Sequence, residues 1–165
     1  VVIGTTATRV DEAWRRLADV PDPEVPAISV VDLGIVRALA EADDGAIEVT
    51  LTPTYSGCPA TEVIEASVRD ALAPLGPVRT RLQRAPAWTT DWISDDGRRK
   101  LRDYGIAPPG RCAGGAQPVR VMSRVPCPRC GSERTERLSA FGATACKSLH
   151  RCIDCREPFE HFKAI

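Results

Sequence analysis

Two Cys-x-x-Cys pairs, Cys127-Pro128-Arg129-Cys130 and Cys152-Ile153-Asp154-Cys155, stand 21 residues apart near the C-terminus. Each turn can present both of its sulfurs to one ion, and two such turns complete a tetrahedron with metal–sulfur distances of about 2.3 Å. The spacing is that of a zinc ribbon. Structural Zn2+ is the expected occupant, and an iron–sulfur centre is the rival because four cysteines hold either. A tail of this size with few large apolar side chains cannot offset its chain entropy alone. Metal binding is therefore expected to supply folding free energy on the order of 10 kcal/mol.

Seven cysteines in 165 residues, five of them in the last 39, also bear on compartment. An odd count without a secretory pattern does not fit a disulfide scaffold, so reduced thiols and a cytoplasmic location are expected. With 43% hydrophobic and 27% charged residues the chain reads as globular, and it has no apolar run of the roughly 20 residues a membrane span needs. Formal net charge is zero but unevenly spread: residues 1–110 carry 12 Lys or Arg against 17 Asp or Glu, residues 111–165 carry 10 against 5. Four thiolates on one divalent ion would lower the tail from +5 to +3. A nucleic-acid partner is disfavoured, because Arg129, Arg134, Arg137 and Arg151 are not interleaved with aromatics.

Hydrophobic periodicity predicts a helix over 7–20, two antiparallel strands around Asp43-Asp44-Gly45, a helix from Pro59 to Leu75 and a third strand from Val78. Asp22-Pro23-Glu24-Val25-Pro26 must be a loop, since its prolines remove donors and bias their neighbours away from helix. Ser94-Asp95-Asp96 caps a short helix through Tyr104, closed by Gly105. Residues 119–125 and 134–140 read as short strands. The Pro and Gly density after Ala107 places a linker at 108–118, between a domain over 1–107 and the ribbon over 119–165.

Cys58 follows a strand and precedes Pro59, which suits the first position of a helix. Unpaired N–H groups there would stabilise a thiolate, making Cys58 a nucleophile or soft-metal ligand; a small corner-filling residue is the equal alternative. Asp22, Glu24 and Asp32 fit turn and cap roles, or acidic loops that help hold a cation. Cys146, six residues before Cys152 and beside Lys147, fits a small residue of the ribbon sheet, an alternative exchangeable metal ligand or a redox-active thiol, and Cys112 an incidental thiol in the linker. Trp88 and Trp92 read as a hydrophobic lid. The chain has no Gly-rich phosphate loop, no Ser/His/Asp arrangement and no helical carboxylate–His pairs. A non-catalytic subunit is therefore expected rather than a stand-alone enzyme.

The segments Asp22-Pro23-Glu24-Val25-Pro26, Val31-Asp32-Leu33-Gly34, Thr52-Pro53-Thr54, Cys58-Pro59 and Pro86-Ala87-Trp88 resemble the small domain of iron–sulfur assembly factors of the SufT and CIA types. With Trp88 to Ser94, Lys100 to Pro109 and the tail ending Glu157-Pro158-Phe159-Glu160-His161-Phe162-Lys163, the whole chain is similar to the PaaD family, small subunits encoded with phenylacetyl-CoA 1,2-epoxidase. The resemblance implies an α+β fold, a small mixed sheet packed against helices (MIP18-like), followed by a small zinc-ribbon domain. It implies a place in aerobic phenylacetate degradation, where a di-iron oxygenase epoxidises the ring with electrons from a flavin and iron–sulfur reductase. The oxygenase and reductase subunits would be the partners. Iron or an iron–sulfur cluster would be handled transiently, with Cys58 as the matching cysteine and Asp32 and Glu24 as the acids. The alternative is an electron-transfer component with a redox iron site in the C-terminal cysteines.

Overall fold

The structure is a computed structural model that describes residues 8–54, 60–110 and 124–164, and it divides into two compact units, 1–88 and 89–165. In the first unit, helix α1 (Arg9–Ala18) starts where Thr8 and Asp11 cap each other. The Thr8 hydroxyl accepts from the Asp11 N–H at 3.1 Å and the Asp11 carboxylate from the Thr8 N–H at 2.9 Å. Its buried stripe is Ala13 and Leu17.

Strands β1 (Val36–Glu41) and β2 (Ile47–Leu51) form the expected antiparallel hairpin, with Gly45 at φ 79° in the turn. Helix α2 (Ala60–Leu72) and a short 3-10 turn then carry the chain to β3 (Val78–Leu82), which pairs parallel to β2 with Leu51 opposite Leu82. β2 is thus central in the order β1-β2-β3. Its Ile47, Val49 and Leu51 are buried, as are Ile64, Val68 and Leu72 of α2, the apolar sets that period two and period 3.6 place on one face of each element.

Residues 28–35, rich in β-branched side chains, bury Ile28, Val30, Leu33 and Ile35 yet form turns rather than strand. The reason is local: Ser29 Oγ accepts from the Asp32 N–H at 3.0 Å, the Leu33 N–H donates to Ser29 O at 3.0 Å, and Gly34 takes φ 69°.

The second unit spans 89–165. Helix α3 (Asp95–Tyr104) has the Ser94 cap and the left-handed Gly105 closure read from sequence. Strand β4 (Ile106–Ala107) continues from it and pairs parallel to β7 (Pro158–Phe162), in a sheet ordered β4-β7-β6-β5 with β5 (Thr135–Ser139) and β6 (Lys147–Cys152). The compact units divide at Trp88/Thr89. Main-chain pairing of Ile106 and Ala107 with Glu160 and His161 is what binds this segment to the ribbon sheet. Of the strand expected over 119–125, residues 119–123 lie outside the described residues, and Arg124 and Val125 are not in a strand.

Candidate functional site

The two cysteine turns are built alike. The Gly131 N–H donates to Cys127 O at 2.9 Å and the Cys127 N–H to Ser132 O at 2.9 Å, while the Cys152 N–H donates to Glu157 O at 3.0 Å. Each turn ends in a left-handed residue, Gly131 at φ 75° and Arg156 at φ 66°. The Asp154 carboxylate ties the turns together, accepting from Ser132 Oγ and, at 2.6 Å, from the Arg134 guanidinium.

Cys127, Cys130, Cys152 and Cys155 converge, all four sulfurs lying within 4.8 Å of one another. The Cys127–Cys155 pair is 3.7 Å apart and the Cys130–Cys152 pair 3.6 Å. A tetrahedron with metal–sulfur bonds of about 2.3 Å has edges of about 3.8 Å, so this donor set fits a four-coordinate metal. Cys127 and Cys152 are buried beside Ala107, Val125 and Phe159, and Cys130 is the exposed member.

The thiols do not ionise alike. The Cys155 N–H, 3.5 Å from the Cys152 sulfur, is the main influence pulling Cys152 down to about 7. For Cys155 the Glu157 N–H acts in the same downward sense, but loss of solvent and the neighbouring sulfurs of Cys152, Cys130 and Cys127 outweigh it and push the thiol up to about 12. Crowded sulfurs that resist full ionisation by themselves are what a cation relieves.

Cys146 is not part of this centre. It immediately precedes β6 while Cys152 ends it, so an extended span of six residues, roughly 20 Å, separates them. Its sulfur is instead 3.0 Å from Thr144 Oγ1, in a half-buried position. Cys112 and Cys58 lie outside the described residues.

In the first unit a small pocket open to solvent is lined by Ile35, Pro53, Ala60 and Ile64 together with Thr54, Thr61 and the acids Asp22 and Glu24. Leu51 and Leu82, the last residues of β2 and β3, also line it, which places it at the carboxyl end of the parallel pair and the start of α2. Clefts at that end of such strands are common ligand sites. Asp22 is 8% exposed and its Oδ1 accepts from the N–H groups of Glu24 at 3.0 Å and Val25 at 2.9 Å, so it shapes the loop that presents Glu24. Asp32, 9% exposed, accepts from the Ser29 N–H at 3.4 Å within its own turn and is not among the lining residues. Thr52 Oγ1 is buried and meets no hydrogen-bond partner among the described residues. The lining positions Pro53, Thr54 and Thr61 had no chemical signal of their own in the sequence beyond the Thr-Pro-Thr run. Trp88 is buried, whereas Trp92 is half-buried in the second unit.

Residues 114–163 match the family model described as PaaD zinc beta ribbon domain, and residues 11–80 the one described as iron-sulfur cluster assembly protein. Over 159 residues, 95% of this chain and 94% of the relative, the sequence is 48% identical to an Escherichia coli (strain K12) protein named as a putative subunit of 1,2-phenylacetyl-CoA epoxidase. The chain belongs to the PaaD family. The chain is also 33% identical over 94 residues to an Fe-S protein maturation auxiliary factor of Porphyromonas gingivalis, covering 55% of this chain and 89% of that one. It is 36% identical over 81 residues to YitW of Bacillus subtilis, of the same description, covering 47% and 78%. The fold is that of the crystal structure of a DUF59 domain from Bacillus anthracis, with TM-score 0.52 and 24% identity over 56% of this chain and 91% of the other. As a PaaD-family chain it joins an assembly-factor fold, whose largely apolar pocket is also lined by Asp22 and Glu24, to a ribbon bearing the four-sulfur centre. No helix among the described residues is long and apolar enough to cross a membrane.

Proposed function

We propose that this chain is an accessory subunit of a phenylacetyl-CoA 1,2-epoxidase system that assists loading of iron or an iron–sulfur cluster into the oxygenase or reductase. The observation that carries this reading is the pocket at the β2 and α2 ends, where Glu24 stands exposed on a loop fixed by Asp22. Thr54 and Ala60, which both line it, bracket Cys58 in sequence. A thiolate from Cys58 and a carboxylate from Glu24 offer one soft and one hard donor, a pair suited to holding iron loosely enough to release it. In this reading Asp32 acts by fixing its turn.

The four-cysteine centre is assigned structural zinc. Four sulfurs leave no open position for substrate, and the metal bound there would supply folding energy to the ribbon. A ribbon that carried iron and absorbed visible light after anaerobic purification would favour electron transfer instead.

The test uses cells that depend on phenylacetate. Cys58→Ser and Glu24→Gln should leave the chain folded and zinc-loaded while lowering the iron content of the purified oxygenase or reductase. Unchanged iron content and epoxidase activity in both variants would overturn the reading.

A further inference from the structure

Of the three phenylalanines, Phe159 and Phe162 are 4% and 3% exposed, but Phe141 is 63% exposed. It sits in the β5–β6 connection, at the end of the sheet opposite the cysteine centre: β5 begins at Thr135 facing Cys152 and ends at Ser139 facing Leu149. This connection is held firmly. The Phe141 N–H donates to Ser139 Oγ at 3.1 Å, the Gly142 N–H to Lys147 O at 2.8 Å, and the Ala143 N–H to Glu160 Oε1 at 2.7 Å. Glu160 Oε2 pairs at 2.7 Å with Nζ of Lys147, a lysine only 3% exposed. An ion pair with one partner buried and the other half-buried adds little net stability, so its effect here is to fix geometry. Gly142 is part of the same arrangement, since a Cβ there would lie 2.5 Å from Glu160 Oε1.

What the arrangement presents outward is apolar and cationic. Lys163 Nζ stands 4.8 Å from the centre of the Phe141 ring. The irregularity between Arg137 and Ser139 leaves Leu138 unpaired and 49% exposed. Among the described residues neither Lys163 nor Arg137 has an acidic partner.

We propose that the β5–β6 tip is a docking site for a folded protein partner that offers Phe141 an apolar pocket rimmed by carboxylates. An exposed aromatic on a backbone already fixed by hydrogen bonds loses little main-chain entropy on binding, which is the property of an interface anchor. Lys163 and Arg137 supply the charge that selects an acidic rim, and residues 89–165 carry 14 Lys or Arg against 9 Asp or Glu, an excess of +5 that four thiolates on a divalent ion lower to +3. The bulge at Leu138 spoils the edge for strand addition, so contact is made by side chains. The proposal rests on the accessory-subunit reading, with the oxygenase or reductase as the acidic partner.

Calorimetric titration of the metal-loaded full chain against purified oxygenase and reductase, at low and high salt, tests it. One component should bind, more weakly as salt rises. Phe141→Ser should weaken binding by about tenfold or more, and Lys163→Glu and Arg137→Glu severalfold, with metal content and circular dichroism unchanged. Equal binding by parent and Phe141→Ser would overturn the proposal. So would a loss of self-association in Phe141→Ser seen by sedimentation, which would make the occupant a second copy, or binding of the tip to anionic-lipid vesicles in place of protein. If the parent binds neither component, docking is overturned, while the loading function is judged separately by the iron content of the oxygenase in cells lacking this chain.

Discussion

The indole N–H of Trp88 donates to the carbonyl oxygen of Leu33 at 2.9 Å, with both side chains buried. Leu33 lies in the turn that holds Asp32, so the last residue of the first unit secures a segment whose ladder pairing is a single antiparallel bridge between Ser29 and Pro21. Trp88→Phe removes the bond and some of the packing, and should destabilise the first unit by about 2 kcal/mol. Urea unfolding followed by far-ultraviolet circular dichroism measures it; an unchanged midpoint would mean the bond contributes nothing.

Metal removal should act on the second unit. A strong chelator is expected to expose β5, β6 and β7 to protease while α1, α2 and β1–β3 keep their protection. Because β4 pairs with β7, residues 106–107 should lose protection together with the ribbon. Hydrogen exchange read by mass spectrometry follows both units at once, and protection of the ribbon that survives verified metal loss would contradict the expectation. Metal retention should also fall as pH is lowered, since protons compete for the sulfurs that the ion requires as thiolates.

His161 provides a separate pH dependence. Burial, and then the proximity of His150, lower its pKa to about 4 from the ordinary 6.5; Ser148 Oγ and the β4 backbone also face it. The unfolded chain thus binds the proton more readily. The stabilisation is complete above pH 6.5 and is lost as pH falls toward 4. Thermal unfolding of the metal-loaded protein across that window should show a shallower acid dependence in His161→Gln than in the parent, and parallel curves would assign the acid sensitivity elsewhere.

Gly142→Ala should be disruptive although nothing unusual in backbone angle is required there. The added Cβ would stand 2.5 Å from Glu160 Oε1 and 3.2 Å from Lys147 Cβ, so the carboxylate has to shift against its bonds to Ala143 and Lys147. A loss of about 2 kcal/mol in ribbon stability is expected. Gly131→Ala tests a different cause, since open space surrounds that residue and only its φ of 75° opposes a side chain. Its cost should be about 1 kcal/mol. Differential scanning calorimetry ranks the two; a smaller effect at Gly142 would mean the tip relaxes around the methyl group.

The sequence determined what depends on near neighbours. Thr8 and Ser94 begin their helices, Gly105 ends one, Asp43-Asp44-Gly45 turns one hairpin, and each Cys-x-x-Cys pair brings two sulfurs together, because these effects act within a few residues. Tertiary structure decided what depends on pairing at a distance. Strands β6 and β7 carry Lys147, Ser148, His150 and His161 in place of a clean apolar alternation, and become strands because they pair with each other and enclose Cys152 and Phe159. Prolines follow Ala107, yet its backbone groups are satisfied by β7, more than fifty positions away. The same distinction separates the acids. Composition could not tell Asp22, Glu24 and Asp32 apart, whereas the packed loops turn Asp32 into its own turn and leave Asp22 and Glu24 on the pocket, since which way a carboxylate faces is set by the backbone donors that folding brings to it.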